Sequence, residues 1–585
     1  MTQDIYKDPG RKIGYVVGGS LRSGLQIRLE VQPQEIQEGG FVVVETETEQ
    51  NSWHFYGLIT DLQLGATDPR FADEQTEARF PSGLASLLQG QTLFTNLEVL
   101  PALMLERGPN AEYQGKPNPS YQEAYARWRA ALDEAGEEPR PMPVKTVPVH
   151  HASVRLAQAG DVAEIFGKPD QPGNFVVGYT REQDHPVCID LDKFVQRSSG
   201  IFGATGTGKS FLTRIILSGL IQYNKSSVLV FDMHNEYGFD DTSSDTGGRV
   251  VGLRTKFPAR VRVVGLGRGA SIRGNAPDFN LELAERDIQP ADIDMLTREL
   301  NLKETTPTTL DALVMSFGRE NWFHEFKQMK IGSVIENEEG KKVPAPDSVA
   351  YWANQAGVHP AAAEGLRSKL NRVFNLPYIQ ENPAADSLAE IIKALEAGQH
   401  VVLSFGEHET DLDYLLVTNL LSRRIRAEWE KRTNHYRSHG SQEPRPLVIV
   451  VEEAHKLLNR EMASQTTFST IARELRKYYV TLLIIDQRPS QIYDEVMSQL
   501  GTRVSGWLGD DADIHAVLSG LAGRDALRGM LAHLQPKEEV LLLGWGVPMP
   551  IPVRSRRYDD RFWEELLGRS AKRRTDQILG ELGFD

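Results

Sequence analysis

The sequence predicts an open α/β domain that follows a β-rich domain and is interrupted by a helical segment. Three observations predict this fold class. Between residues 12 and 64, short alternating runs are broken by turn residues, which is typical of a small barrel or sandwich. From Asn174 onwards, apolar β-branched runs alternate with helical patterns, as they do in a sheet of mostly parallel strands. Between residues 280 and 396 the helical period replaces the strand pattern.

The β-rich domain is expected over residues 1–170. After the runs between residues 12 and 64, two further extended runs, 93–105 and 144–157, are expected to complete it as a barrel. The stretch between them is rich in proline and glycine, and its periodicity indicates one helix over 121–135.

The α/β domain is expected in two parts, 171–279 and 397–550. The helical segment 280–396 lies between them as an insertion, and residues 551–585 form a charged C-terminal tail. The first part holds a strand that leads into a glycine loop and a helix from about Ser210 to Tyr223. The polar stretch 433–445 is predicted to be a loop before an acidic strand.

Composition narrows the classes of protein. The single cysteine, Cys188, excludes an internal disulfide framework and a cysteine-based zinc site. No signal peptide and no run of about 18 apolar residues are found, so a cytoplasmic protein without membrane contact is expected. The net charge of −15 disfavours DNA binding through a general basic field. Phosphate contacts are local, however, so a channel lined by a few lysines and arginines stays open as an alternative.

The segment GATGTGKS from Gly203 to Ser210 fits the phosphate-loop pattern G-x-x-x-x-G-K-[ST] at every fixed position. The glycines let successive backbone N–H groups point at phosphate oxygens, and the following helix adds its dipole. Lys209 is expected to reach the β- and γ-phosphates of ATP, and the Ser210 hydroxyl to bind Mg²⁺. The candidate nucleotide-binding residues are Gly203, Ala204, Thr205, Gly206, Thr207, Gly208, Lys209, Ser210 and Phe211.

Carboxylates follow two apolar runs. In LVIVVEEAH, Glu452 is placed to support Mg²⁺ and Glu453 to polarise the attacking water; the alternative is a solvated strand end. Asp232 stands at the end of SSVLVFD, where it orients either the metal's water shell or Lys209, or else caps the next turn.

Two further groups complete the candidate catalytic set. Gln487 follows the apolar run VTLLIID and is placed to sense the γ-phosphate. Arg473, Arg476 and Lys477 either form a solvated basic face or include an arginine finger that enters a neighbouring subunit. Periodicity alone favours the solvated face.

Taken in order, these motifs resemble those of the HerA family of HerA/FtsK ATPases, which are hexameric DNA translocases of the RecA-like P-loop class. The resemblance covers nearly the whole chain. The N-terminal IGYVVGG run resembles the start of the family's HAS barrel, residues 280–396 resemble its inserted helical bundle, and VPMPIPVRSRRYDD resembles its C-terminal strap.

The resemblance implies a role for each residue. It makes Glu452 the metal support, Glu453 the catalytic base and Gln487 a sensor, and it favours Arg476 as the arginine donated in trans, with Arg473 as the other choice. If the tail straps onto a neighbouring subunit near the nucleotide, Arg554 and Arg556 are the candidate nucleotide contacts; the alternative is a simple charged terminus. Two positions depart from the family pattern: Leu475 stands where glycine is frequent, and Glu452 stands where P-loop enzymes favour aspartate.

The function implied is that of a homo-hexameric ATP hydrolase, a DNA translocase or helicase that pumps double-stranded DNA to a NurA-like partner nuclease in DNA end resection and double-strand break repair. The alternative is an ATPase ring that gates an anti-phage defence effector, either a sirtuin-like protein or a nuclease. Arg423, Arg424 and Arg426 are candidates for DNA contact, although a solvated helix face also explains them. Partner, polarity, DNA end preference and subunit count are left open by the sequence.

Overall fold

A computed structural model describes residues 10–48, 51–67, 93–113, 116–136, 138–242, 247–440, 442–462, 468, 470–471, 475–521 and 523–568. The chain divides into two compact units. The first comprises Met1–Leu191, Gly203–Gly208 and Thr502–Phe562, and the second comprises Asp192–Phe202, Lys209–Gly501 and Trp563–Asp585. Within the described ranges, no helix is both long and apolar enough to cross a bilayer.

The N-terminal part of the first unit is a β-barrel. The strands of this part of the chain are β1 (Lys12–Ser20), β2 (Gly24–Leu29), β3 (Phe41–Glu47), β4 (Ser52–Ala66), β5 (Leu93–Gly108), β6 (Glu112–Tyr113), β7 (Lys116–Pro117), β8 (Met142–Pro143) and β9 (Ser153–Leu156). Strands β6 and β7 form a separate two-stranded sheet. Helix α1 (Tyr121–Ala135) precedes β8, and α2 (Ala159–Phe166) follows β9.

Six of these strands close the barrel in the order β2-β1-β9-β3-β4-β5, because β5 also pairs with β2. All of the pairings are antiparallel. The apolar side chains of the alternating runs, such as Ile13, Val44 and Phe55, form a buried core inside it. Full closure leaves no free sheet edge. The prediction of an N-terminal barrel is confirmed, although only Ser153–Leu156 of the 144–157 run forms a barrel strand, β9.

The elements between the barrel and the helical insertion are β10 (Asn174–Tyr179), β11 (Pro186–Asp190), α3 (Leu191–Gln196), β12 (Ser199–Phe202), α4 (Lys209–Tyr223), β13 (Ser227–Asp232), β14 (Asp241–Thr242), β15 (Arg249–Val250), α5 (Leu253–Lys256), β16 (Val261–Leu266) and β17 (Phe279–Leu281). Those of the insertion are β18 (Leu283–Ala284), α6 (Pro290–Asp294), α7 (Thr306–Phe317), α8 (Trp322–Gln328), β19 (Val334–Glu336), β20 (Lys342–Pro344), α9 (Val349–Gln355), α10 (Pro360–Phe374), β21 (Ile379–Gln380) and α11 (Ser387–Glu396).

After the insertion come β22 (His400–Ser404), α12 (Asp411–His439), β23 (Leu447–Glu452), α13 (His455–Leu458), β24 (Val480–Asp486), α14 (Asp494–Gln499), β25 (Thr502–Ser505), α15 (Asp511–Leu518), α16 (Arg524–Ala532), β26 (Glu539–Gly544) and β27 (Ile551–Ser555). Short 3₁₀ turns occupy Pro33–Glu35, Glu285–Asp287, Leu475–Tyr478 and Pro489–Gln491.

The second unit is built on a parallel sheet in the order β12-β24-β23-β13-β22-β16-β17. Every residue of β13, β22, β23 and β24 is buried. Strands of this kind read as continuous apolar runs, because helices cover both faces of a parallel sheet. The carboxyl ends of the strands share one edge, and the predicted phosphate loop and acidic residues follow strands of this sheet. The predicted α/β fold with its P-loop core is confirmed.

The strands of the first unit outside the barrel have a different arrangement. They run in the order β11-β10-β27-β26-β25, and each neighbouring pair is antiparallel. Four of these runs were expected in the open α/β sheet and the run of β27 in the C-terminal tail, and no direction was predicted for the individual strands. Apolar runs of five or six residues look alike in both kinds of strand, since burial on two faces removes the alternation that distinguishes them.

The insertion is helical as predicted and contains an aromatic core. Trp322, Phe323, Phe326 and Phe374 are buried, and the rings of Phe323 and Phe374 have their centroids 4.8 Å apart. An exposed antiparallel hairpin, β19 with β20, was not predicted.

The predicted loop over 433–445 is wrong in its first half. Helix α12 continues to His439 and ends at Gly440, whose left-handed backbone (φ 62°) caps it. Two contacts explain the longer helix: Thr433 is buried, and Arg437 donates a hydrogen bond of 2.6 Å to the carbonyl of Lys477. Tertiary contacts thus outweigh the polar composition of the segment.

A buried ion pair ties the insertion to α12. Asp292 in α6 is fully buried and accepts hydrogen bonds from Arg423 (2.7 Å) and Asn419 (2.9 Å). Arg423 also donates to the carbonyl of Asp287 at 2.8 Å. Arg423 is one of the candidates for DNA contact, but its guanidinium is engaged in this internal contact. Arg424, the neighbouring candidate, is exposed.

We expect Arg423→Ala to destabilise the second unit by about 3 kcal/mol, because it leaves Asp292 charged and buried with Asn419 as its remaining side-chain donor. The measurement is the shift in a urea unfolding transition followed by tryptophan fluorescence. Arg424→Ala, which removes an exposed arginine from the next position, is the control and should change stability by less than about 0.5 kcal/mol. Equal effects of the two changes would contradict the structural role of the Asp292 pair.

Candidate nucleotide site

The phosphate loop connects β12 to α4 and turns through left-handed backbone. Gly206 and Gly208 have φ of 75° and 89°, and a Cβ on Gly206 would meet nothing within 4 Å. Conformation, not space, therefore requires glycine at Gly206. Two hydrogen bonds hold the loop: the Thr207 hydroxyl donates to the carbonyl of Ala204 at 2.7 Å, and the Ala204 N–H donates to the carbonyl of Trp507 at 3.0 Å.

Helix α4 begins at Lys209, one residue before the predicted start. Lys209 is half-buried, and burial lowers the pKa of its ammonium, while the carboxylates of Glu453 and Asp486 oppose that shift. Ser210 and Phe211 are half-buried in the first turn of the same helix. The helix thus presents its N-terminal turn, a cation and a hydroxyl next to the phosphate loop, as an anion site requires.

Glu452 is the last residue of β23 and only 6% exposed. The hydroxyl of Tyr237 donates to its Oε1 at 2.6 Å, whereas Oε2 has no hydrogen-bond partner among the described residues. Burial and the nearby charge of Asp232 raise the pKa of Glu452 well above its usual value. A buried carboxylate oxygen without a partner is costly, so this atom offers a place for a cation or its water shell.

Asp232 ends β13, next to β23 in the sheet. It is fully buried and accepts hydrogen bonds from the backbone N–H groups of Glu236 (2.7 Å) and Tyr237 (3.1 Å) and from the Ser404 hydroxyl (3.1 Å). These are the contacts of a turn cap, the alternative considered in the sequence analysis. Asp232 thereby shapes the turn that brings the Tyr237 hydroxyl to Glu452; its role towards the metal stays a prediction.

Glu453 is the first residue after β23 and has left-handed backbone with φ of 46°. Such a conformation is costly for glutamate and is common where a side chain must be aimed at a site. The amide nitrogen of Gln487 lies 3.3 and 3.2 Å from the two carboxylate oxygens of Glu453. The two residues meet because β23 and β24 are parallel neighbours that end side by side. Gln487, predicted as a sensor, thus also positions the predicted base.

A second pair at this edge, Asp486 with His455, is absent from the predicted site residues. Asp486, the last residue of β24, accepts hydrogen bonds from the backbone N–H of His455 (2.7 Å) and of Arg488 (2.7 Å). It also lies 3.0 Å from Nδ1 of His455 and raises the pKa of that imidazole. The only sequence signal was a carboxylate that ends an apolar run. The pair braces the turn that follows Glu453, because both strand ends are joined through it.

Arg476 lies apart from this group. It is exposed on the 3₁₀ turn Leu475–Tyr478, and its side chain makes no hydrogen bond or ion pair with the described residues. The turn precedes the amino end of β24, whereas Glu453 and Gln487 lie at the carboxyl end. A parallel strand of this length spans about 20 Å. Arg473 falls outside the described residues.

The two tail arginines lie in the first unit. Arg554 in β27 is partly exposed and forms an ion pair with Asp184. Arg556 is buried; it donates to the carbonyl of Val176 at 3.3 Å, and its guanidinium lies 4.7 Å from the ring centroid of Phe562. Their roles towards the nucleotide stay predictions, and the exposed Arg554 is the better placed of the two to reach another molecule.

A metal ion at this site would have few protein ligands. Among the residues that the structure describes, no group of three or more histidines, cysteines or acidic residues is arranged to hold a metal. Mg²⁺ in nucleotide enzymes characteristically keeps several waters and is held by one or two protein oxygens together with substrate phosphates. Ser210 and Glu452 provide protein oxygens of that kind.

Comparison with known proteins agrees with this geometry. Residues 175–425 match the family model described as "Helicase HerA, central domain". The DNA double-strand break repair helicase HerA of Sulfolobus acidocaldarius is 23% identical over 94% of both chains. The protein of the same name from Sulfurisphaera tokodaii is 22% identical, also over 94% of both chains.

Similarity to solved structures is more distant. VirB4 of Thermoanaerobacter pseudethanolicus is 16% identical, covers 67% of this chain and 98% of its own, and aligns with a TM-score of 0.39. The family model and the near full-length relatives carry the assignment. Together with the phosphate loop and the strand-end carboxylates, they identify the chain as an ATP-hydrolysing P-loop enzyme whose residues 175–425 match the central domain of the HerA helicases.

Proposed function

We propose that the protein is a motor that uses ATP hydrolysis to move double-stranded DNA, and that it works as a ring of six identical subunits. The observation that carries the ring is the position of Arg476 at the sheet edge remote from the catalytic residues of its own chain. The DNA substrate is supported by the two relatives named as DNA double-strand break repair helicases, which align over 94% of their length.

The residues of the chain divide the chemistry between them. The backbone N–H groups of the phosphate loop and the Lys209 ammonium bind the phosphates and balance the negative charge that develops on them. Glu453, held by the Gln487 amide, accepts a hydrogen bond from the attacking water and takes its proton. The strained backbone of Glu453 fixes the direction of the carboxylate before ATP binds, so little reorganisation is left for the reaction.

The site also fits Mg²⁺. Ser210 and Glu452 would hold the ion, and the unpartnered Oε2 of Glu452 supplies the observation that supports it. When bound, the ion neutralises charge on the β- and γ-phosphate oxygens. The Tyr237 hydroxyl keeps Oε1 of Glu452 occupied and so leaves Oε2 directed to that task.

Assembly and activity are coupled in this proposal. Arg476 is an exposed cation that its own nucleotide cannot use, since about 20 Å of strand separates it from Glu453. In a closed ring, the same surface of each subunit meets the next subunit's nucleotide, so each site gains one arginine. Such a guanidinium stabilises charge on the transferred phosphoryl group.

We further propose that the motor feeds DNA ends to a partner nuclease of the NurA type, in end resection and double-strand break repair. The support is the similarity to relatives named for that repair process. The second candidate, a ring that gates a defence effector, is favoured by the net charge of −15, which limits general attraction to DNA.

The test is the ATPase rate with and without linear duplex DNA. We expect stimulation by DNA, and we expect the DNA concentration for half-maximal stimulation to rise at least about tenfold between roughly 50 and 200 mM salt, because bound phosphates release counterions. Glu453→Gln is the inactive control. Basal turnover that ignores DNA at both salt concentrations would overturn the translocase and favour the effector-gating ring.

A further inference from the structure

The loop over residues 533–538, between α16 and β26, lies against the phosphate loop. Its turn is closed by the carbonyl of Gln535, which accepts from the N–H of Glu538 (3.2 Å) and of Glu539 (3.0 Å). A Cβ placed on Gly208 would lie 3.7 Å from the Cα of Lys537. Lys537 is therefore in van der Waals reach of the glycine whose neighbours bind phosphate.

One residue connects the two loops. Trp507 donates from its indole Nε1 to the carbonyl of Ala532 at 3.0 Å, at the end of α16, and its own carbonyl accepts from the N–H of Ala204 at 3.0 Å. The loop that carries Lys537 and the phosphate loop consequently share a common support within the first unit.

The 533–538 loop is also held from the barrel side. The N–H of Gln535 and the guanidinium of Arg181 both donate to Oε2 of Glu539, at 2.9 and 2.7 Å. Arg181 donates further to the carbonyl of Glu38 at 2.7 Å, and Nδ1 of His533 lies 2.8 Å from a carboxylate oxygen of Glu38. Contacts on both sides make the position of Lys537 a fixed feature of the fold.

Lys537 itself is exposed and has φ of 67°. The left-handed region favours glycine or asparagine, and a lysine there costs conformational energy. A turn alone would be formed more easily by glycine. The backbone of this lysine lies beside the phosphate loop, next to Gly208.

We propose that Lys537 is a second lysine of the nucleotide site, which contacts the phosphates of a nucleotide bound by the phosphate loop. An ammonium on a flexible stem has three donors and suits phosphate oxygens, whose charge-assisted hydrogen bonds are strong. The inference rests on the proposed function in one respect, that the phosphate loop binds nucleotide.

The experiment compares equilibrium binding of ATP and ADP to the full chain and to three variants. We expect Lys537→Ala to weaken binding of both nucleotides about tenfold, Lys537→Arg to keep most of the affinity, and Lys537→Gly to be as weak as the alanine variant. Lys145→Ala, which removes an exposed lysine of the barrel domain, should bind like the parent. Thermal unfolding without nucleotide verifies that each variant folds.

The glycine variant makes the outcome decisive. Parent-like binding by Lys537→Gly would show that the backbone of the loop matters and the amine does not, which overturns the inference. Parent-like binding by Lys537→Ala overturns it as well. Failure of the parent chain to bind either nucleotide would overturn the proposed function itself. This outcome is distinguishable from failure of the Lys537 inference, because it is seen with the parent chain and needs no variant.

Discussion

Glu453→Gln will lower the ATPase rate by about 10³-fold and leave ATP binding within about threefold of the parent, because the amide no longer accepts the proton of the attacking water. The change is nearly isosteric, and Gln487 can still hold the new side chain through its own amide. The measurements are steady-state phosphate release and equilibrium nucleotide binding on the same preparations. Glu409→Gln, an exposed glutamate outside the site, is the control and should match the parent.

A second substitution tests the division of labour between the adjacent carboxylates. Glu452→Gln should raise the Mg²⁺ concentration needed for half-maximal ATPase, since it removes the charge next to the unpartnered Oε2 position. Glu453→Gln should leave the Mg²⁺ dependence of nucleotide binding unchanged. If the two variants exchange these phenotypes, the assignment of base and metal support is reversed.

Arg476→Ala will abolish most of the ATPase activity, about 10³-fold, while nucleotide binding and the size of the assembly stay unchanged. The physical reason is that the guanidinium acts on a neighbouring subunit's nucleotide and stabilises charge that develops in the transition state. Arg319→Ala, another exposed arginine of the second unit, should be fully active. Light scattering or sedimentation checks the assembly of each variant.

Mixing subunits separates action in trans from action in cis. Arg476→Ala and Lys209→Ala proteins are each expected to be inactive alone, one without the arginine and one without the phosphate-loop lysine. When they assemble together, an Arg476 from the Lys209→Ala subunit meets the intact phosphate loop of an Arg476→Ala subunit, and activity returns in part. Mixed assemblies that form but stay inactive would contradict the trans assignment.

The parts of the site that are contiguous in the chain could be predicted in detail. The phosphate loop from Gly203 to Ser210 is a local structure whose glycines, lysine and helix start follow from one another, so motif and context were sufficient. Strands β13, β23 and β24 could also be predicted, because the sequence of a buried parallel strand is an apolar run that ends in polar residues.

Contacts between residues of separate segments could not be predicted from the sequence in this way. Three hydrogen bonds of the site join residues from different strand ends or turns. They link the Gln487 amide to Glu453, the Tyr237 hydroxyl to Glu452, and the His455 backbone N–H to the Asp486 carboxylate. Arg423 illustrates the same limit, since its partner Asp292 is 131 residues away in the chain. Which residues meet depends on strand order, and nothing local encodes strand order.

The sequence by itself determined the class of enzyme, the phosphate loop and the two strand-end glutamates. It also determined the order of the domains, a β-rich domain followed by an α/β domain with a helical insertion. Only the tertiary structure decided the direction of β25 to β27, the length of α12, the left-handed backbone of Glu453 and the partners of each carboxylate. The physical reason is the separation along the chain between the residues that interact. Motifs and periodicity record the interactions of a residue with its chain neighbours, whereas pairing, capping and charge compensation across a sheet are settled by which strands lie side by side.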